Sequence, residues 1–357
     1  MSPRTHPPGR WLMAAACLVA VSATAANVNW DTSTEAGYQS GSGRWGADAY
    51  WTVDGVVLKS WLAGDSATFL GDAQGVVDAI TLTANQSVAG LAFGSSGTWG
   101  AWTLSGATLN LTNPSVDVAS GASVVIANAV AGSVGLTKNG AGILSLSGAN
   151  TYTGNTTVAA GTLRVTGGGR LSTGLLEVYA GASVALDGYS TVLNIKGDGN
   201  IKINSGSLTL DMSDLWFYYF RGSLSGQGAL IKKGQGETLI TGDTSSYFGA
   251  IGLMGGTLTL KDANCALGSG DITISGTATL GGLPGYSPFL RNRINVTAGN
   301  VTLGRLGATM IFGQDITVSG SANVSFVGSV ILAGDLANKG TGAWTLDSVA
   351  KIGRAHV

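Results

Sequence analysis

Residues 135–165 read GLTKNGAGILSLSGANTYTGNTTVAAGTLRV, two short alternating segments set between turns rich in Gly, Asn and Thr. From Ile143 to Ser147, alternation puts Leu144 and Leu146 on one face. From Thr157 to Val165, it turns Val158, Leu163 and Val165 inward around Gly161. A period of two bounded by turn residues is the mark of half-buried β-strands. Strands this short and glycine-rich need a neighbour to be stable.

The stretch returns. Residues 229–260 repeat it at an offset of 94, which becomes 95 after one inserted residue. Leu136, Lys138, Gly140, Gly142, Leu146 and Gly148 meet Leu230, Lys232, Gly234, Gly236, Ile240 and Gly242. Beyond the insertion, Tyr152, Gly154, Val158, Gly161, Thr162 and Leu163 meet Tyr247, Gly249, Leu253, Gly256, Thr257 and Leu258. A third copy begins at Leu336, where Gly340, Gly342, Trp344 and Leu346 fall 200 residues after their counterparts. β-rich units that recur along a chain predict a solenoid, because each unit buries its apolar face only against a stacked neighbour.

The pattern L-x-K-x-G-x-G-x-L-x-L-x-G-x-N-x-Y-x-G followed by V-x-x-G-T-L-x-V resembles the autotransporter-associated β-strand repeat. The first copy matches throughout; the second departs at Thr238 and at Asp243–Ser246. The resemblance implies an exported bacterial surface protein, either a passenger domain or a relative of one. It also implies an outer-membrane translocator or a sorting machinery as a partner in export.

The rest of the chain is consistent with export. Arg4 and Arg10 precede an apolar run from Trp11 to Val21, and Ala23-Thr24-Ala25 supplies the small residues of a cleavage site. Residues 1–25 are therefore expected to be a signal peptide. Cys17 lies inside it, so Cys265 is the sole cysteine remaining and no intramolecular disulfide is expected. Of 19 basic residues, Arg4, Arg10, Lys351 and Arg354 lie outside 26–350, leaving 15 against 20 acidic and a net charge of −5 there. With no basic run, nucleic acid is not an expected partner. Charged residues make up 11% of the chain and hydrophobic ones 44%, which excludes the composition of a disordered chain.

Along the chain, residues 26–75 stand apart. Trp30, Trp45, Trp51 and Trp61 fall there, and Trp99 and Trp102 come next. Bulky rings suit a cap over the open edge of a first rung; a sugar-stacking surface is the rival reading. From 76 to 350 short alternating strands succeed one another, with no sustained helical period. The predicted fold is all-β, a right-handed parallel β-helix with a Trp-rich N-terminal cap and about 20–25 residues per turn. Residues 351–357 end in IGRAHV, which reads as a non-native tail that truncates the third repeat.

The two histidines are His6 and His356, so the region between the signal and the tail holds none. That removes a histidine base and histidine-ligated zinc, and no nucleophile-elbow, P-loop or HExxH pattern is present. No cofactor, metal or catalytic residue is assigned. One cluster invites a ligand: Asp211 to Arg221, DMSDLWFYYFR. In a strand, Trp216, Tyr218 and Phe220 would share a face, with Phe217 and Tyr219 opposite. Trp216, Tyr218, Phe220 and Arg221 are the candidate glycan contacts, and packing within the core is the competing role. The sequence predicts a non-enzymatic exported surface or passenger domain, a stalk, spacer or adhesin with glycans or cell-surface molecules as partners. The alternative is a polysaccharide lyase or glycoside hydrolase on a β-helix, for which Asp211 and Asp214 would point to opposite faces of one strand.

Overall fold

The computed structural model describes residues 26–33, 35, 41–70, 77–94, 100–261, 267–346 and 351–353. The predicted signal peptide, Trp99, Cys265 and residues 354–357 lie outside them. All the described regular structure is β, and nearly every strand pairing is parallel. Successive turns stack by pairing strand on strand, as at Leu144↔Leu163 and Val116↔Leu91, so a turn takes between 19 and 25 residues there. The solenoid expected from the sequence is what the chain forms.

Alternation explains the strands. Val77–Leu82 switches between exposed and buried at every residue, and Thr162–Val165 buries Leu163 and Val165. Because the register is parallel, buried positions stack on buried positions. Val124, Leu144, Leu163, Val184, Ile201 and Leu224 form one such apolar column. Each side chain of this size removed from water contributes about 1.5–3 kcal/mol, and the column continues because each turn repeats it.

Each turn visits three faces. Leu136–Asn139 lies on the first, and Ile143–Leu146 on the second. Thr156–Val158 then returns to the first and Thr162–Val165 to the second. The third face begins with Gln86–Val88, Leu109–Leu111 and Val130–Ala131. It continues through irregular segments whose N–H groups still reach the previous turn, Thr151 to Val130 and Leu193 to Gly174. Where the chain reads SVALDGYSTV and NIKINSGSLTLDM, one long strand bends round the corner. Ser183 to Leu186 pairs on the second face, whereas Gly188 to Val192 pairs with Gly206 to Leu210 on the third. A bulge after Leu186 makes that corner.

The second repeat does not stand above the first. Leu230 pairs with Leu208 on the third face, and Glu237–Ile240 lies on the first. Its later strands, Ile251–Leu253 and Gly256–Leu260, occupy the third and first faces again. The third copy shares this phase: Leu336–Asn338 continues the column through Ile316, Ile294 and Ile272 to Ile251. The motif is thus displaced by one face between its first copy and the other two.

Its buried lysine and its left-handed glycine nevertheless recur in the first two copies. Lys138 and Lys232 are buried, with 0% and 1% exposure. Lys138 Nζ donates to the carbonyls of Asn139, Gly140 and Ala160, the last from the next turn. Lys232 Nζ donates to the carbonyls of Lys233 and Gly234. Gly140 and Gly234 come two residues later with φ of +72° and +66°, and a Cβ on either would run into a carbonyl of the preceding turn, that of Val118 or Met212. The lysine therefore binds carbonyls that a tight left-handed turn has aimed at one point. Burial pulls each ammonium down to about 8, opposed by Asp117 for Lys138 and by Asp211 for Lys232. The motif tyrosines are buried too. Tyr152 hydrogen-bonds Thr156, and Tyr247 donates to the carbonyls of Gly228 and Ala250.

At the N-terminal end the aromatic residues close the stack. Trp30, Trp45 and Trp51 are fully buried. Trp51 stands 5.1 Å from Trp30, 4.9 Å from Trp45 and 4.7 Å from Trp61. Phe69 lies beneath them and stacks on Phe93 at 4.8 Å. Rings packed in this way are unavailable to a sugar, so the aromatic cluster is core. Asn27–Trp30 pairs parallel with Ser66–Phe69, and Trp51–Thr52 folds back antiparallel across it. At the other end, Lys351 pairs with Ser329 and the ladder extends to Gly353.

Candidate functional site

The aromatic run lands on the first face. Phe217–Phe220 pairs with Glu237–Ile240 on one side, and Phe220 meets Gly197 on the other. This register divides the four sequence candidates. Phe220 is fully buried in the core, a correction to its expected role as a ligand contact, because it pairs between Gly197 and Ile240 in the inward column. Tyr218 is half-buried. Trp216 is 70% exposed at the head of the strand, and Arg221 is exposed just past its end. The outward rings of the strand are Phe217 and Tyr219, whose centroids are 5.4 Å apart, edge to face.

These rings form one side of a groove of 630 Å³ across adjacent turns, with Ala159, Gly197 and Ala180 among its small lining residues. Tyr179, from an earlier turn, lines it as well and is 48% exposed. Two ion pairs border it. Arg221 holds Asp198 with two hydrogen bonds, Nε to Oδ1 at 2.7 Å and Nη2 to Oδ2 at 3.3 Å. Lys196 Nζ lies 2.9 Å from Glu177 Oε1. The Arg221 hydrogen bond holds the Asp198 carboxyl below its usual range, and Asp198 in turn raises the guanidinium. Both partners therefore stay ionised near neutrality.

Sequence reasoning missed Glu177, Tyr179, Lys196 and Asp198. They lie some 20 residues apart on neighbouring turns, and the signal was present as a stacking interval: Glu177 pairs with Lys196 in the parallel register. Asp211 and Asp214, weighed as a hydrolytic pair, do not enter the groove. Among the described residues no group of three His, Cys, Asp or Glu is arranged to hold a metal ion. No described helix is long and apolar enough to cross a membrane.

Comparison with known proteins agrees with this architecture. The family model for the passenger-associated-transport-repeat matches residues 136–165, the stretch that builds the first buried-lysine turn. The adhesin BmaC autotransporter of Brucella suis biovar 1 (strain 1330) is 31% identical over 341 residues. That alignment takes in 87% of this chain but only 10% of the Brucella protein, so the chain spans about a tenth of its relative's length. No solved structure matches. The fold and these matches define the class: a parallel β-solenoid that carries the passenger-associated-transport-repeat at 136–165 and is similar over most of its length to part of an autotransporter adhesin.

Proposed function

We propose that this chain is an exported, cell-surface passenger segment that acts without catalysis, as an adhesive rod. The observation that carries the reading is the unbroken parallel ladder, whose repeats serve to stack turn on turn. The groups shifted by burial, Lys138, Lys232, Tyr152 and Tyr247, are all turned into the core and bonded to the wall, and Asp198 and Arg221 at the groove are shifted by their hydrogen bond to each other. Groups perturbed by burial at a catalytic centre would instead face a cleft. The relative's printed name, an adhesin autotransporter, favours the same reading.

Antibody labelling of intact cells of the bacterium that makes the protein tests the location. Surface labelling, abolished by external protease, is the expected result, and signal confined to permeabilised cells overturns it. Deleting 26–350 from the gene is expected to lower attachment of the bacteria to host cells or surfaces; unchanged attachment removes the adhesive role. Incubating the purified chain with pectins and other polysaccharides should release no new reducing ends. Their release would establish the enzyme alternative.

A further inference from the structure

We propose that the groove on the first face, built on Tyr179, Phe217 and Tyr219, binds a neutral oligosaccharide chain. The proposal rests on the adhesive reading above and assigns it a site and a ligand class. Four observations lead to it.

First, the rings are exposed where a strand of this composition would ordinarily bury them. Phe217 is 55% exposed, Tyr219 47% and Tyr179 48%. Exposed aromatic groups that line a groove together, rather than standing singly, mark an interaction surface. Second, they are held on a rigid platform. Phe217 and Tyr219 sit on a strand paired along its length with Glu237–Ile240 and tied to Gly197 at Phe220, and Tyr179 comes directly after Leu176–Val178, itself paired on both sides. Neighbouring strands are about 4.8 Å apart, so rings from separate turns offer a pitched row of apolar faces to an extended chain. The apolar C–H face of a pyranose matches such a ring, and a rigid platform loses little entropy on binding.

Third, the polar groups beside the rings suit hydroxyls. Glu177 and Asp198 offer carboxylate acceptors, and Lys196 and Arg221 offer donors. A sugar's vicinal hydroxyls both donate and accept, so such mixed edges serve them directly. Fourth, the charge of the groove cancels in pairs: Lys196 against Glu177 and Arg221 against Asp198. An acidic polysaccharide or a nucleic acid would call for unpaired cations, and a strongly basic peptide for unpaired carboxylates. A neutral chain needs neither. An extended strand-like peptide finds little backbone to pair with here, because Leu176–Val178 is paired on both sides and Phe217–Phe220 is paired along one side and at Phe220 on the other.

Isothermal calorimetry of the full purified chain against cellohexaose, maltohexaose, mannohexaose and hexagalacturonate tests the proposal. At least one of the three neutral hexamers is expected to bind with a roughly millimolar dissociation constant, typical of a shallow site that must offset the loss of ligand freedom. Phe217→Ala with Tyr219→Ala should weaken that binding at least tenfold, and Tyr179→Ala several-fold. Tyr189→Ala, at a 77% exposed ring outside this groove, should leave it unchanged. All these side chains are on the surface, so unaltered melting and circular dichroism are expected to confirm folding. Binding of none of the neutral hexamers, binding restricted to hexagalacturonate, or binding indifferent to the Phe217 and Tyr219 substitutions would overturn the site. Failure here with surface attachment intact would sink the groove and spare the adhesive rod; loss of surface attachment on deletion of 26–350 together with intact hexamer binding would keep both.

Discussion

The first and second copies of the repeat share their residues but not their place on the rod. Leu136 starts on the first face and Leu230 on the third, while Lys138 and Lys232 end in equivalent buried sites. What is equal between them lies within a turn and its immediate neighbours: a left-handed glycine, a lysine inside its turn and, one turn later, a second left-handed glycine. Gly161 and Gly256 have φ of +67° and +69°, and each backs onto two carbonyls of the turn before it. The repeat is therefore a local stacking device, indifferent to which face of the prism carries it. In a quasi-one-dimensional fold this is expected, because each turn interacts only with the turns beside it.

The strongest test is to remove the glycines. Gly140→Val and Gly234→Val each place a branched side chain at positive φ and against a backbone carbonyl of the turn before. Strained backbone and overpacking together should cost roughly 3–5 kcal/mol. If the copies are equivalent, urea unfolding and hydrogen exchange will show similar losses, each confined to the altered turn and its neighbours. A loss in one copy much larger than in the other would show that the face matters.

The lysines come next. Lys138→Met and Lys232→Met keep the length and apolar stem but leave carbonyls without their donor, which should cost roughly 1–3 kcal/mol each. The two should again be matched. Their titration gives an independent readout. The folded-state value of about 8 lies below the free value of 10.5, so between those limits the unfolded chain binds more protons than the folded one. Stability must then rise with pH through that window and be lower below about 8. Buried Tyr152 and Tyr247 act in the opposite sense: burial favours their neutral forms, so stability is lost once pH passes their free value of 10.0. Thermal melts from pH 7 to 11 should pass through a maximum near 10. The double lysine variant should lose the rising limb and keep the falling one; a rising limb that survives would show that other groups carry it.

How far the sequence could be read is set by the same geometry. Alternation within a strand is a property of adjacent residues, so Leu144, Leu146, Val158, Leu163 and Val165 were legible and are all buried. The face on which a strand lies depends on the summed lengths of all earlier turns, and those vary, so the rotation between copies was not. Lysine is seldom fully buried, which hid the role of Lys138 although its recurrence as Lys232 was plain. Five aromatics in a row offer no alternation between apolar and polar, so nothing marked Phe220 as the inward residue. The groove stayed hidden because Glu177, Tyr179, Lys196 and Asp198 converge only through stacking. The tryptophans could be read by bulk alone, and Trp30, Trp45 and Trp51 do fill the end of the stack.

The third copy offers the smallest and most discriminating change. Asn338 occupies the place of the lysine, accepting from the Gly340 N–H and donating to the Gly342 carbonyl, so a short amide spans its own turn. It cannot reach a following turn as Lys138 reaches Ala160. Asn338→Lys would restore the longer donor but place it at an exposed position, where little desolvation is relieved and the side chain loses rotamer freedom. Its effect on unfolding should lie within about 0.5 kcal/mol of zero, as for an exposed substitution. Lys138→Asn, the reverse exchange in the first copy, should cost nearly as much as Lys138→Met, because the amide is too short to reach Ala160. Equal effects of the two exchanges would mean that the residue type alone sets the contribution. A large effect at 138 and a negligible one at 338 would place the contribution in the stacked turn that the lysine ties down.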